Sequence, residues 1–350
     1  MASSSARSQK LSLVACELGL IYSGNDDEEI SYIKIENCVG FSKVPLGISG
    51  PLRIVGLGVD SKLYAPLVTY EATLVASCSR GCKAFDSYVG LQFEVLGDGM
   101  SRALVVVFQT PGSAVAFYHA IPTFQLEAST IRSNVHVFCN YTCGDACGQN
   151  MVTKATNYAC RMLRQTYGDK FSIKDFVIEG QLASDKKPSW GNVNGSRGVQ
   201  VMVWGVITLS VLACTTERMD EMHRIGKDGG IRNGHFGSNI NTANIIAAMF
   251  ISTGQDPGSI AEASWSHLTT ELDKETGNLT MSLYFPSLTV GTVGGGTGYT
   301  TQREALGMLA CLGPGKKHTL AGIIGSLALA LDASTMAAIC NDTFTDAHTC

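Results

Sequence analysis

The longest apolar run in the sequence, residues 320–331, is about twelve residues long and stops at Asp332. A bilayer-spanning helix needs roughly twenty such residues, so the run is too short to cross a membrane and the chain reads as soluble, without a membrane span. It falls inside a helix of small residues expected over 318–339. With 350 residues, 45% of them apolar, the chain can bury a large core and is expected to hold two compact units. A net charge of -4 and a pI near 6.0, with no clustered lysines or arginines beyond short pairs, give no footprint for nucleic acid. Residues 1–10 are polar throughout and lack the apolar middle of a secretory leader, so a cytoplasmic location is expected. The twelve cysteines therefore read as buried thiols rather than a disulfide framework. Cys139, Cys143 and Cys147 recur every four residues, but without a C-x-x-C pair or a histidine at ligand spacing no metal site is expected.

In chain order, residues 1–32 read as a mobile tail, Ser-rich and acidic around Asp26 to Glu29. Residues 33–52 mix glycine and proline with apolar residues, which favours a tightly turned segment. A helix is expected to open near Pro66 and Thr69, with Leu67, Leu74, Val75 and Cys78 on one face. Glu71 lies in its first turns, either as a buried acid able to donate a proton near neutrality or as a simple complement to the helix dipole. Residues 97–102 read as a turn feeding a strand at 103–108, followed by a helix at 111–126 and a single strand at 134–139. A helix headed by Gly144, Asp145, Gly148 and Asn150 then runs to about Tyr167. Small residues at a helix N-terminus suit either a phosphate or a close helix contact.

Next comes Ser184-Asp-Lys-Lys-Pro188, after a strand-like run at 176–178. Adjacent lysines in a chain only 16% charged suit a positioned cation as well as a surface turn. Residues 199–214 are β-rich, residues 226–237 glycine-rich, and a helix over 239–256 ends at Asp256, where a carboxylate opposes the dipole and calls for a cationic partner. A strand over 279–285 precedes a loop, Thr289-Val-Gly-Thr-Val-Gly-Gly-Gly-Thr-Gly298, whose glycines permit close approach of a ligand or flexibility.

Taken together, these blocks resemble the catalytic region of hydroxymethylglutaryl-coenzyme A reductase of the eukaryotic type (class I). They are Glu36-Asn-Cys-Val-Gly40, the Thr69 to Ala84 segment, Gly144 to Met151, Ser184 to Pro188, Gly254-Gln-Asp256 and the glycine loop. The resemblance covers nearly everything from Ile33 to His348. It implies an α+β fold, with a large domain around a long central helix (residues 33–108 and 178–350) and an inserted, reduced ferredoxin-like domain at 109–177. It implies NADPH as cofactor, a coenzyme A thioester as substrate, and a dimer or tetramer with the site at the interface. The catalytic side chains it implies are Glu71, Lys186, Asp256 and His348. Lys186 would stabilise charge on the carbonyl oxygen and Asp256 would hold that lysine; Glu71 would protonate the aldehyde and His348 the departing thiolate. Lys187, Asp185, Asn244, Arg224 and Arg80 are the implied substrate contacts. Asp145, Gly148, Asn150, Gly294 and Gly295 are the implied cofactor contacts.

The chain also departs from the family. The arginine expected on the strand after Arg102 is Val107, Glu179 puts an acid before the double lysine, and the insert looks clipped by one strand. These departures sustain a second expectation, a reductase scaffold turned to cofactor-independent cyclisation or addition on a less polar substrate. The four catalytic side chains and the glycine loop sustain the first, a reductase of a mevalonate-type thioester.

Overall fold

The computed structural model describes residues 33–36, 38, 40–86, 88–121, 126–208 and 212–345. The tail at 1–32, Asn37 and Val39 of the 36–40 block, and His348 lie outside the described residues.

Strands β1 (Leu46–Gly56) and β2 (Val59–Val68) pair antiparallel, with Leu52, Ile54, Ala65 and Leu67 fully buried on the inward face. Pro66 and Leu67 therefore belong to a strand and not to a helix. Pro66 is tolerated because β2 forms one edge of its sheet. Helix α1 (Leu74–Asp86) begins after a turn that holds Glu71, and its buried face is Leu74, Cys78, Cys82 and Phe85.

The expected turn at 97–102 is the middle of a single eighteen-residue strand, β3 (Leu91–Phe108). Its residues 92–99 pair with β7 (Gly198–Ile207), and its residues 100–107 pair with β5 (Asn134–Tyr141), so one strand serves two sheets. On the second sheet lie α2 (Pro111–Ala120), β4 (Glu127–Ile131), β5, α3 (Gln149–Phe171) and β6 (Ile173–Val177). Helix α2 is shorter than the expected 111–126. The strands run β4-β5-β3-β6, each neighbour antiparallel, in the chain order strand, helix, two strands, helix, strand. Phe108, Phe117, Val135 and Phe171 pack between them.

The insert is therefore not missing the strand that the sequence reading left out. Strand β4 is that strand. It is an edge whose five residues, Glu-Ala-Ser-Thr-Ile, are nearly all exposed, so it carries no apolar alternation to announce it.

The larger sheet runs β2-β1-β3-β7-β9-β8, with β8 (His267–Leu272) and β9 (Leu279–Leu288) closing the far edge. Between these strands fall α4 (Trp190–Asn194), α5 (Thr216–Arg232), α6 (Thr242–Thr253) and α7 (Ile260–Ala263); after them come α8 (Thr300–Met308) and α9 (Lys317–Cys340). Helix α9 is buried from Thr319 to Ala338. It is long and apolar enough to cross a membrane by composition alone, yet what surrounds it is α1, α6 and the sheet. Burying a Leu or Ile contributes about 1.5–3 kcal/mol, so a helix buried on every face is the centre of the core. Its small residues permit that: Gly81 of α1 lies against the Ala330 carbonyl so closely that any Cβ would collide with it.

Candidate active site

Lys186 sits in a turn that the backbone does not adopt willingly. Gln181, Ser184 and Lys186 all have left-handed φ values (68°, 50° and 59°), a costly conformation for residues with a Cβ. A buried network holds the turn. Arg197, 1% exposed, donates from Nε to Glu262 Oε2 at 2.8 Å and from Nη2 to Asp185 Oδ1 at 2.5 Å. Glu262 Oε2 also accepts the Lys186 backbone N–H at 3.2 Å, and Asn192 Nδ2 donates to the carbonyls of Ser184 and Lys187. Arg102 donates from Nη1 to Glu179 at 2.6 Å and to Asp185 at 3.2 Å. Burial alone would raise the Asp185 carboxyl, but Arg197, Gln149 and Arg102 outweigh it and hold the group below its usual range. Burial likewise works against a charged Arg197, and Glu262 overcomes it, so the guanidinium is held the more firmly protonated.

Lys186 Nζ lies 2.7 Å from Asp256 Oδ2. That hydrogen bond is the leading cause of a raised Lys186 pKa, against the opposing effect of partial burial. Asp256 is not at the end of α6 as expected. The helix stops at Gly254, whose φ of 75° ends it, and Asp256 instead accepts the Gly258 N–H at 2.8 Å. Its unfavourable placement against the helix dipole therefore disappears, while the cationic partner remains.

The pair lines a cavity of about 700 Å³. Gly148 and Asn150 at the start of α3, and Gly294 and Gly295 of the glycine loop, line the same cavity. Helix α3 has no side-chain cap at its N-terminus, so the backbone donors of its first turn remain for a ligand. A Cβ at Gly294 would meet no protein atom and would project into open space, where φ of 78° favours glycine anyway. Gln255 clamps the loop to the Asp256 segment through reciprocal bonds with Gly291, at 2.8 and 2.9 Å.

The other expected residues lie elsewhere. Asp145 is not on the cavity wall; its Oδ1 accepts the backbone N–H of Lys316 and Lys317 and so caps α9. The backbone N–H of Gly315 is the leading cause of its lowered pKa. Asp185 lines the cavity, but its oxygens are committed to Arg102, Arg197 and Gln149. Lys187 points its exposed ammonium at the Asp185 carbonyl, 3.2 Å away. Glu71 is exposed, Arg224 is exposed and paired with Asp220, and neither lines the cavity. Arg80 donates to Ser334 of α9, and Asn244, in the first turn of α6, donates its N–H to the Asn241 carbonyl. Arg102, Gln149, Asn192, Arg197 and Glu262 were not anticipated from sequence. Arg102 and Gln149 fall within stretches singled out above without being assigned a role, whereas Asn192, Arg197 and Glu262 are single polar residues with no spacing to mark them. Glu179, read as an intruding acid, is instead the counter-charge of Arg102.

The family model described as hydroxymethylglutaryl-coenzyme A reductase matches residues 7–134 and 122–350. A 3-hydroxy-3-methylglutaryl-coenzyme A reductase of Methanothermobacter thermautotrophicus is 35% identical, covering 92% of this chain and 86% of the relative. The rice (Oryza sativa subsp. japonica) 3-hydroxy-3-methylglutaryl-coenzyme A reductase 1 is 31% identical, covering 94% of this chain and 67% of the relative. Among solved structures, the class II 3-hydroxy-3-methylglutaryl-CoA reductase of Streptococcus pneumoniae bound to NADPH aligns with a TM-score of 0.64 at 18% identity, over 95% of this chain and 96% of that one.

Proposed function

This chain belongs to the hydroxymethylglutaryl-coenzyme A reductase family, and on that premise we propose that it reduces an acyl-coenzyme A thioester to an alcohol at the expense of NADPH. The observation that carries the reading is the Lys186–Asp256 ion pair on the wall of the cavity that also holds the uncapped start of α3 and the glycine loop. A helix N-terminus and bare glycine backbone suit a dinucleotide phosphate, and the volume accommodates an extended ligand. When bound, NADPH supplies the hydride for each of the two reductions.

In this reading Lys186 donates a hydrogen bond to the thioester oxygen as negative charge develops there, a preorganised cation that needs no reorganisation during the reaction. Asp256 fixes the ammonium in place and keeps it protonated. The carbon–sulfur bond then breaks, the electron pair leaves with the coenzyme A sulfur, and His348 is assigned the proton it takes. In the second reduction the aldehyde oxygen receives its proton from Glu71. Because Glu71, Arg80, Asn244 and Arg224 do not line the cavity of Lys186, we assign them to the face that a second copy presents. The complete site then forms between subunits of a dimer or tetramer. Strand order β4-β5-β3-β6, in the chain order given above, supports reading the insert as a ferredoxin-like module for the dinucleotide. A cytoplasmic location belongs to the same proposal.

The alternative of cofactor-independent chemistry loses two of its three supports. The strand thought missing is β4, and Glu179 is neutralised by Arg102. The test is NADPH oxidation, followed by absorbance, on adding hydroxymethylglutaryl-coenzyme A to the purified chain. Turnover that vanishes in Lys186→Ala is expected. Tight NADPH binding without oxidation by any acyl thioester would refute the assignment.

A further inference from the structure

Asp332 interrupts the most apolar helix of the molecule. It is 0% exposed, and a carboxylate there is tolerated only where hydrogen bonds replace water. Its Oδ1 accepts the Asn241 N–H at 2.7 Å and its Oδ2 the Ile240 N–H at 3.2 Å. Asn241 occupies the N-cap of α6, yet its side chain does not cap that helix; Nδ2 donates instead to Thr335 Oγ1 at 2.9 Å. The chain leading into α6 is therefore held from outside, by α9. Two residues on from Asp332, Ser334 Oγ accepts from Arg80 Nε at 2.9 Å and lies 2.9 Å from Ser77 Oγ. One turn of the central helix thus grips two separate segments: the turn before Asn244, whose N–H bonds the Asn241 carbonyl at 3.0 Å, and the α1 residue Arg80.

We propose that Asp332, with Ser334 and Thr335, is a positioning element that sets Asn244 and Arg80 in register for the acyl-coenzyme A substrate. This rests on the functional reading above, in which those two residues contact the thioester. Asp332 touches no reacting atom. It acts through the Ile240–Asn241 backbone, and its raised pKa, pushed to about 7 by burial, reflects how completely water is excluded there.

The test is steady-state kinetics of the full chain with hydroxymethylglutaryl-coenzyme A and NADPH, comparing Asp332→Asn and Asp332→Ala. Asparagine keeps one acceptor oxygen and alanine keeps none. The KM for the thioester is expected to rise about tenfold in Asp332→Ala and less in Asp332→Asn, with the KM for NADPH unchanged, since the dinucleotide wall lies on other elements. In an Asn244→Ala background the added effect of either Asp332 change should shrink to less than about threefold, because coupled residues are not additive. Equal rises in both KM values, full additivity, or an unchanged thioester KM would overturn the proposal. If the alanine variant does not fold, the asparagine variant decides by the same criteria. An Asn244→Ala change that leaves the thioester KM unmoved would bring down the functional reading and the proposal together, whereas an effect of Asn244 without one of Asp332 would bring down only the latter.

Discussion

Replacing Glu262 with alanine removes the acceptor for four donors at once: Arg197 Nε and Nη2, the Lys186 N–H and Asn192 Nδ2. Arg197 and Glu262 are each only 1% exposed, so the guanidinium would stay in the interior with Asp185 as its remaining counter-charge. Breaking one side of a buried pair costs about 3–5 kcal/mol, and the surviving Asp185 contact places the expected loss near the lower end, about 3 kcal/mol. Equilibrium unfolding in urea measures it as a lowered midpoint at constant slope. Activity should fall further than stability explains, because the left-handed Lys186 backbone loses its anchor and the ammonium moves from its place beside Asp256. A control separates the two effects. The double change Arg197→Met and Glu262→Leu removes both charges together and should unfold closer to the parent than Glu262→Ala does, although Asp185 then keeps Arg102 as its remaining counter-charge. It should nevertheless remain about a hundredfold slower, since the Lys186 N–H still lacks its acceptor. A Glu262→Ala protein with an unchanged urea midpoint and full activity would refute the view that this network holds the Lys186 turn for the proposed reaction.

Three further outcomes follow from the same geometry. Lys186→Met, which keeps the bulk and loses the charge, should lower kcat by about two to three orders of magnitude with little change in NADPH affinity, as read by nicotinamide fluorescence. Gly258→Ala would place a Cβ 3.0 Å from Lys186 Cδ and Nζ, so the ion pair must shift; a drop of roughly tenfold in kcat with an unaltered thermal midpoint is expected. Asp332 has its pKa raised from 3.8 to about 7, so the folded chain binds more protons than the unfolded one between those values. Its contribution is then fully present below about pH 4 and lost as pH rises through about 7, on the order of 4 kcal/mol in all, and Asp332→Asn should flatten that part of the urea midpoint against pH.

What could be read from the sequence was whatever carries a period or a cluster. The central helix, the glycine loop and the double lysine all announce themselves locally, and the structure puts Lys186, Asp256, Gly148, Asn150, Gly294 and Gly295 around one cavity. What could not be read was whatever depends on pairing. Strand β4 has no inward face of its own and exists because β5 offers its edge, so its sequence looks like a loop. The turn expected at 97–102 is strand because both halves of β3 find partners, and the backbone hydrogen bonds outweigh the turn preference of its Gly-Asp-Gly.

The misreading of Glu179 has the same root and bears directly on specificity. Taken by its place in the chain, an acid just before the double lysine looks hostile to an anionic substrate. Taken with its partners, it is one of three carboxylates shared among two buried arginines: Glu179 and Asp185 with Arg102, Asp185 and Glu262 with Arg197. Such a group serves to hold Asp185, and through it the turn of Lys186, more than to repel a ligand. A charge in the interior has to be judged with its whole hydrogen-bonded set, because removing one member exposes the desolvation of the others. Glu179→Ser should therefore weaken the Lys186 turn, by leaving Arg102 with Asp185 as its remaining carboxylate, before it changes preference among substrates. The measurable consequence is a loss of kcat shared by all acyl thioesters, and a gain confined to carboxylate-bearing ones would show instead that Glu179 acts on the ligand.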